Sequence, residues 1–119
     1  MSGKKRYTII AKCFDKKGRQ LSFGMNDYRK SHPVMKHFAE SVYLHDKIYL
    51  HAEVLSLLRA GSERVYKLSV ERYTADGRMA MAKPCPVCQA AIRAYGVLEV
   101  SYTTDSGWIT ERVRPWRLP

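Results

Sequence analysis

The chain has 119 residues, of which 45% are hydrophobic and 27% are charged, and its formal net charge is +10 at pH 7. This length supports one hydrophobic core, so we expect a single domain spanning residues 1–119. No stretch approaches the roughly twenty apolar residues of a membrane span, which argues against a membrane as partner. The apolar run after the basic start is too short for a secretory signal, and three cysteines cannot all pair. Both observations favour a cytoplasmic protein.

Basic residues outnumber acidic residues by 21 to 11. The basic clusters are Lys4–Arg6, Lys16–Arg19, Arg29–Lys30 and the carboxyl-terminal Arg112, Arg114 and Arg117. Such a surface attracts phosphates and raises encounter rates with nucleotides or nucleic acid. The same excess also keeps an ordinary protein soluble, so charge alone does not select a substrate.

The chain is predicted to begin with a hairpin. Tyr7–Phe14 is rich in β-branched and aromatic residues, which is typical of a strand. Asp15–Gly18 has the composition of a turn, and Arg19–Asn26 predicts a second strand. Because the link is short, we expect the two strands to pair antiparallel.

Two helices are predicted after this hairpin. Ser31 is expected to be the N-cap of the first helix, with Pro33 in its first turn, and the apolar spacing carries the helix to about Tyr43. Leu50–Ala60 predicts the second helix, and Gly61 stands where that helix ends.

The second half predicts three strands and one helix. Val65–Tyr73 alternates apolar and polar residues, and Met79–Ala82 is expected to be extended. Val97–Thr103 and Trp108–Val113 predict the last two strands. A third helix lies between, because apolar residues recur at i, i+3, i+4 and i+7 before a terminating glycine: Cys88, Ala91, Ile92, Tyr95 and then Gly96.

Two short motifs, about thirty residues apart, carry side chains that bind metals. His51–Glu53 opens the second helix, and Pro84–Cys88 opens the third. Cys85 and Cys88 lie on one face because positions i and i+3 are neighbours, and the positive helix N-terminus favours their thiolates. Zinc takes Cys and His ligands tetrahedrally, and a catalytic zinc keeps one position open. We therefore expect one Zn²⁺ per chain, bound by His51, Cys85 and Cys88.

One geometric question stays open at this point. A regular helix places His51 and Glu53 about 200° apart around its axis. Both side chains can reach one pocket only from the first turn, where the end of the helix itself faces the site. Spacing alone does not decide whether they do.

These motifs, together with Gly24–Asn26 upstream, resemble the signature of the cytidine deaminase superfamily, and most of all its small phage-type or bacterial members. The resemblance covers the expected catalytic core, about Tyr7–Val113. It implies an α/β protein with the three-layer cytidine deaminase-like fold, in which three helices pack on a five-stranded mixed sheet. The short Asp105–Gly107 link makes the final strand antiparallel. In this respect the chain resembles the free-nucleoside and toxin-type branches rather than the tRNA-adenosine and dCMP branches.

The resemblance implies a zinc-dependent hydrolase that converts a cytosine base to uracil in a nucleoside or nucleotide. Zinc-bound hydroxide would attack the base, and Glu53 would act as proton shuttle. The Ala52 amide and the carbonyl groups of Lys83 and Pro84 would hold the edge of the base.

Asn26 has two interpretations. The resemblance implies that it binds the sugar of the target nucleoside, whereas the composition of Gly24–Asp27 is also typical of a turn. Tyr28 stands where free-cytidine deaminases usually have a glutamate, which weakens the case for free cytidine as substrate.

Two other functions remain open. The first is deamination of cytosine or adenine within single-stranded DNA or RNA, which the basic charge would suit, as would four aromatic residues: Tyr28, Tyr43, Tyr49 and Trp116. The second is a non-catalytic structural zinc site, which would need a fourth ligand such as Cys13. We expect Cys13 to be a buried, inert thiol instead. The resemblance also leaves a homo-oligomer open, since related enzymes often complete each other's pockets.

Overall fold

A computed structural model describes residues 8–42 and 49–114 of the chain. Within these residues, no helix is long and apolar enough to cross a bilayer. The described elements follow one another as β1 (Thr8–Phe14), β2 (Gln20–Met25), β3 (Asp27–Ser31), α1 (Pro33–Ser41), β4 (Tyr49–Leu50), α2 (Ala52–Ala60), β5 (Lys67–Tyr73), β6 (Met79–Ala80), α3 (Pro86–Ala94), β7 (Glu99–Thr104) and β8 (Gly107–Arg112).

The main sheet is mixed, with the strand order β2-β1-β5-β7-β8. β1 pairs antiparallel with β2 and with β5, β5 pairs parallel with β7, and β7 pairs antiparallel with β8. The predicted five-stranded sheet with an antiparallel final pair is therefore confirmed. The short strand β6 adds a sixth member at the end of β5, and β3 pairs with β4 in a separate two-stranded sheet.

The start of the first helix differs from the prediction. The N-cap of α1 is His32, whose Nδ1 accepts a hydrogen bond of 3.1 Å from the Val34 amide, while Ser31 belongs to β3. The residue before a proline is kept out of the helical conformation, so Pro33 holds His32 extended and the helix begins one residue later than expected. The predicted end at Tyr43 lies outside the described residues.

The core lies where the helices meet the sheet and one another. α2 packs on β1 and β2, α3 contacts α2, and α1 contacts α3. Ala11 and Cys13 alternate with less buried neighbours on β1, whereas every side chain of β7 from Val100 to Thr104 is buried. Burial on both faces is expected for a strand of a parallel pair, and β7 is such a strand.

Gly24 allows β2 to approach α2 closely. A Cβ atom at this position would lie 3.0 Å from the Ala52 carbonyl oxygen and 3.0 Å from the Leu55 side chain. Only glycine leaves room for so close an approach of strand and helix. The first turn of α2, which carries His51 and Glu53, is thereby held against the sheet.

Replacing Gly24 by alanine tests this contact. We expect Gly24→Ala to lower the free energy of unfolding by about 1–3 kcal/mol, because the added methyl group pushes on the backbone of α2. Chemical denaturation measures the loss. Met25→Ala, at the exposed neighbouring position, is the control and should change stability by less than about 0.5 kcal/mol. Equal stability of Gly24→Ala and the native protein would contradict the contact.

Candidate active site

His51 lies at the entrance to α2 rather than inside it. It is the N-cap residue, with extended backbone angles of φ −81° and ψ 151°, and Glu53 is the second residue of the helix. The 200° separation of a regular helix therefore does not apply to this pair. Both side chains approach the same end of α2.

Cys85 occupies the matching position at the entrance to α3. It is the N-cap residue of that helix, and Pro86 follows as the first helical residue, where the absence of an amide hydrogen costs nothing. Cys88 is one turn further on and is fully buried. The segment before the helix is tied to β7, since the Ala82 amide donates to the Thr103 carbonyl at 2.8 Å.

The two helix ends bring three metal-binding side chains together. His51 Nδ1 lies 3.2 Å from Cys88 Sγ and 3.6 Å from Cys85 Sγ. A tetrahedral zinc with its usual bond lengths separates a nitrogen and a sulfur ligand by about 3.6 Å. The donor atoms all lie within 4.8 Å of one another, so this group could hold a metal ion. Among the residues that the structure describes, no other side chain joins the group.

A hydrogen bond links the two thiols and shifts their pKa values in opposite directions. A hydrogen bond from the Cys88 thiol lowers the pKa of Cys85 to about 4, and His51 adds to this lowering. The same hydrogen bond, together with burial, raises the pKa of Cys88 well above its ordinary value. Cys85 is thus the more acidic of the two thiols, and binding of a metal ion by both sulfurs would require Cys88 to lose its proton.

Glu53 is buried beside this group, with 6% of its surface exposed. Burial raises the pKa of its carboxyl group, because the charged form loses hydration, and the nearby His51 opposes that rise. A carboxyl group that holds its proton closer to neutral pH is suited to proton transfer.

A buried network supports the first turn of α2 from behind. Ser56 Oγ donates to the Glu53 carbonyl at 2.8 Å and accepts from Cys13 Sγ at 3.4 Å, and Ser22 Oγ donates to the Ser56 carbonyl at 2.6 Å. Cys13 is fully buried, and burial raises the pKa of its thiol. The expectation of a buried thiol is confirmed. Cys13 lies in this network and not in the three-residue group.

The side chain of Asn26 takes part in the sheet. Its Oδ1 accepts from the backbone amide of Ile9 at 3.2 Å, and the backbone amide of Asn26 donates to the Ile9 carbonyl at 3.3 Å. Asn26 therefore continues the pairing of β2 with β1 by one residue. This contact supports a structural interpretation of the residue, and sugar binding stays a prediction.

The residues predicted to hold the base edge have different surroundings. Ala52 is fully buried, as expected at the start of α2. The Pro84 carbonyl accepts a hydrogen bond of 2.8 Å from Gln89 Nε2, and Lys83 pairs with Glu111 at 3.8 Å. Gln89 was not predicted from the sequence. The only sequence signal for this contact is the place of Gln89 near the start of α3, from which a glutamine side chain can reach a carbonyl group of the segment before the helix.

The fold has a known counterpart. A comparison with solved structures finds the crystal structure of cytidine deaminase from Mycobacterium leprae, with a TM-score of 0.50 and 21% sequence identity, over 88% of this chain and 75% of that chain. No family model matches the chain, and no curated protein matches its sequence. The chain is therefore a mixed α/β protein of the cytidine deaminase-like fold class. This is the fold that the resemblance of the sequence motifs implied.

The metal group yields a direct prediction. Purified protein should contain one zinc per chain, measured by elemental analysis, and Cys85→Ala or Cys88→Ala should reduce this content to near zero. Cys13→Ala is the matched control: it removes a buried thiol of the same chemistry outside the group and should retain the zinc. Protein that is purified without chelators and contains no metal would contradict the site.

Proposed function

We propose that the protein is a zinc-dependent hydrolytic deaminase that converts a cytosine base to uracil in a nucleoside or nucleotide. The observation that supports this proposal is the meeting of His51 Nδ1, Cys85 and Cys88 at two helix N-termini, with the buried carboxyl group of Glu53 beside them. A His/Cys/Cys zinc site with a nearby glutamate that is not a ligand is the arrangement that hydrolytic deamination of bases requires.

The number of protein ligands favours a catalytic site over a structural one. Structural zinc sites are closed by four protein ligands, whereas catalytic sites offer three and leave a position for water or substrate. The group contains three within the described part of the chain, and Cys13, the one further described cysteine, donates to Ser56 instead. The non-catalytic alternative thus lacks a fourth described ligand.

The residues of the site would have separate roles in the reaction. His51, Cys85 and Cys88 would hold the metal, and the ion would supply a Lewis acid that lowers the pKa of water to about 7. Glu53 would take a proton from the attacking water and pass it to the ring nitrogen. It would then take the second proton from the hydroxyl group added to the base and pass it to the amino group, so that the carbon–nitrogen bond breaks, ammonia leaves and the oxygen stays as a carbonyl.

Binding of the base is assigned to backbone groups around the metal. The Ala52 amide belongs to the first turn of α2, where amide groups have no partner within the helix. The Pro84 carbonyl accepts from Gln89, and a carbonyl oxygen has a second lone pair that can accept from the amino group of a base. The Lys83 carbonyl would also contact the edge of the base, and Asn26 would contact the sugar.

Glu53→Gln separates chemistry from metal binding. We expect this variant to keep its zinc and its fold but to lose about 10²- to 10⁴-fold in ammonia release, since the amide cannot carry the proton. Glu63→Gln, the same substitution at an exposed position after α2, is the control and should retain full activity.

The substrate is identified by measuring ammonia release from cytidine, deoxycytidine, dCMP, adenosine, and single-stranded DNA and RNA. We expect zinc-loaded protein to release ammonia from at least one cytosine-containing substrate. If none reacts, or if Glu53→Gln retains the turnover of the native protein, the proposed function is wrong.

A further inference from the structure

A groove runs between α3 and β8, next to the proposed metal site. We refer to it as the α3–β8 groove; its cavity volume is about 240 Å³. The groove is lined by residues of α3, β7 and β8 and by the segments that flank them, residues 83–84 and 113–114. It extends along α3 from Gln89 in the first half to Arg93 in the last turn, and it is open to solvent along β8.

The rim of this groove is strongly basic. Four cationic side chains line it, and all four are exposed: Lys83, Arg93, Arg112 and Arg114. The single acidic residue in the lining is Glu111, which is engaged by Lys83 at 3.8 Å and by the hydroxyl group of Tyr102. None of the three arginines lies within ion-pair distance of an acidic side chain among residues 8–42 and 49–114. Their charge is therefore available to an anionic ligand.

The floor of the groove is apolar. Ile92, Val100 and Tyr102 are buried beneath the basic rim, each with at most 6% of its surface exposed. Pockets that enclose a whole small molecule usually measure about 300 Å³ or more, so the groove is too small for that. A basic rim above an apolar floor suits one part of an extended polyanion, whose phosphates contact the rim and whose bases or sugars contact the floor.

The groove and the proposed metal site share one segment of chain. Pro84 lines the groove and is followed directly by Cys85, while Gln89 lines the groove, follows Cys88 and donates to the Pro84 carbonyl at 2.8 Å. A base that reaches the metal site past Pro84 would therefore leave its flanking backbone at the entrance to the groove.

We propose that the α3–β8 groove binds the phosphodiester backbone of single-stranded nucleic acid next to the base that enters the metal site. This inference rests on the proposed function and specifies its substrate as a polymer. The charge of the rim attracts phosphates, and the apolar floor suits the bases and sugars that a single strand exposes. Arg93, Arg112 and Arg114 provide the phosphate contacts, and Lys83 is balanced by Glu111.

Binding of a labelled oligonucleotide tests the groove without depending on turnover. The probe is a short fluorescein-labelled single-stranded DNA with one central cytosine, and an RNA of the same sequence, measured by fluorescence anisotropy over a range of salt concentrations. The groove variant combines Arg93→Gln, Arg112→Gln and Arg114→Gln. The control variant combines Lys16→Gln, Lys17→Gln and Arg64→Gln, which removes the same charge from exposed residues that do not line the groove.

Each phosphate contact contributes about 0.7 to the slope of log K against log salt for a single strand. We therefore expect the groove variant to show a slope shallower by about 2 and weaker binding at low salt, while the control variant keeps the slope of the native protein. Thermal unfolding monitors the fold. If the triple variant unfolds, Arg114→Gln alone replaces it and should reduce the slope by about 0.7.

Two outcomes overturn the proposal. Equal slopes for the groove and control variants would show that the rim makes no specific phosphate contacts. Loss of self-association in the groove variant, seen by size-exclusion chromatography, with unchanged oligonucleotide binding, would assign the groove to a second copy of the chain. Failure of the proposed function is seen separately, as absence of ammonia release from every substrate by zinc-loaded native protein.

Discussion

The site depends on two helix N-termini that meet at one end of the sheet. α2 begins after His51 and α3 begins after Cys85, and both N-caps have extended backbones and side chains that could bind a metal. Because the first amides of each helix lack partners within the helix and the helix dipoles point the same way, positive potential accumulates around these side chains. Moving either helix by the length of a methyl group would separate donor atoms that now lie 3.2 and 3.6 Å apart.

The sheet fixes this meeting through contacts far from the metal. The parallel pairing of β5 with β7 requires a crossover, and α3 supplies it, so its N-terminus returns to the same sheet end as that of α2. Gly24 holds α2 on β2, while Ser56 and Cys13 anchor its first turn from the buried side. Polar groups buried in such a network are stabilising only while each is satisfied, which makes the network a rigid support for Glu53.

The three-residue group lies between a buried helix turn and an exposed groove. In α2, the two residues that flank Glu53 are apolar and fully buried, namely Ala52 and Val54. Toward α3 and β8, the chain places exposed arginines around a shallow apolar floor. The sequence gives a formal charge of +10 but not its location on the surface, and the fold places part of this charge around the groove.

The sequence by itself determined the main strands and helices and indicated the three residues that could hold a metal. Period-two and helical spacing located the main strands and helices to within two or three residues, and the short turn after β7 allowed only an antiparallel last strand. Local rules of this kind work because they depend on neighbours in the chain. Tertiary structure alone decided that His32 caps α1, that Gln89 holds the Pro84 carbonyl, that Asn26 bonds to Ile9, and that arginines of α3 and β8 form one rim. Each of these pairings joins atoms whose distance is set by packing and backbone geometry, which residue types and spacing do not specify.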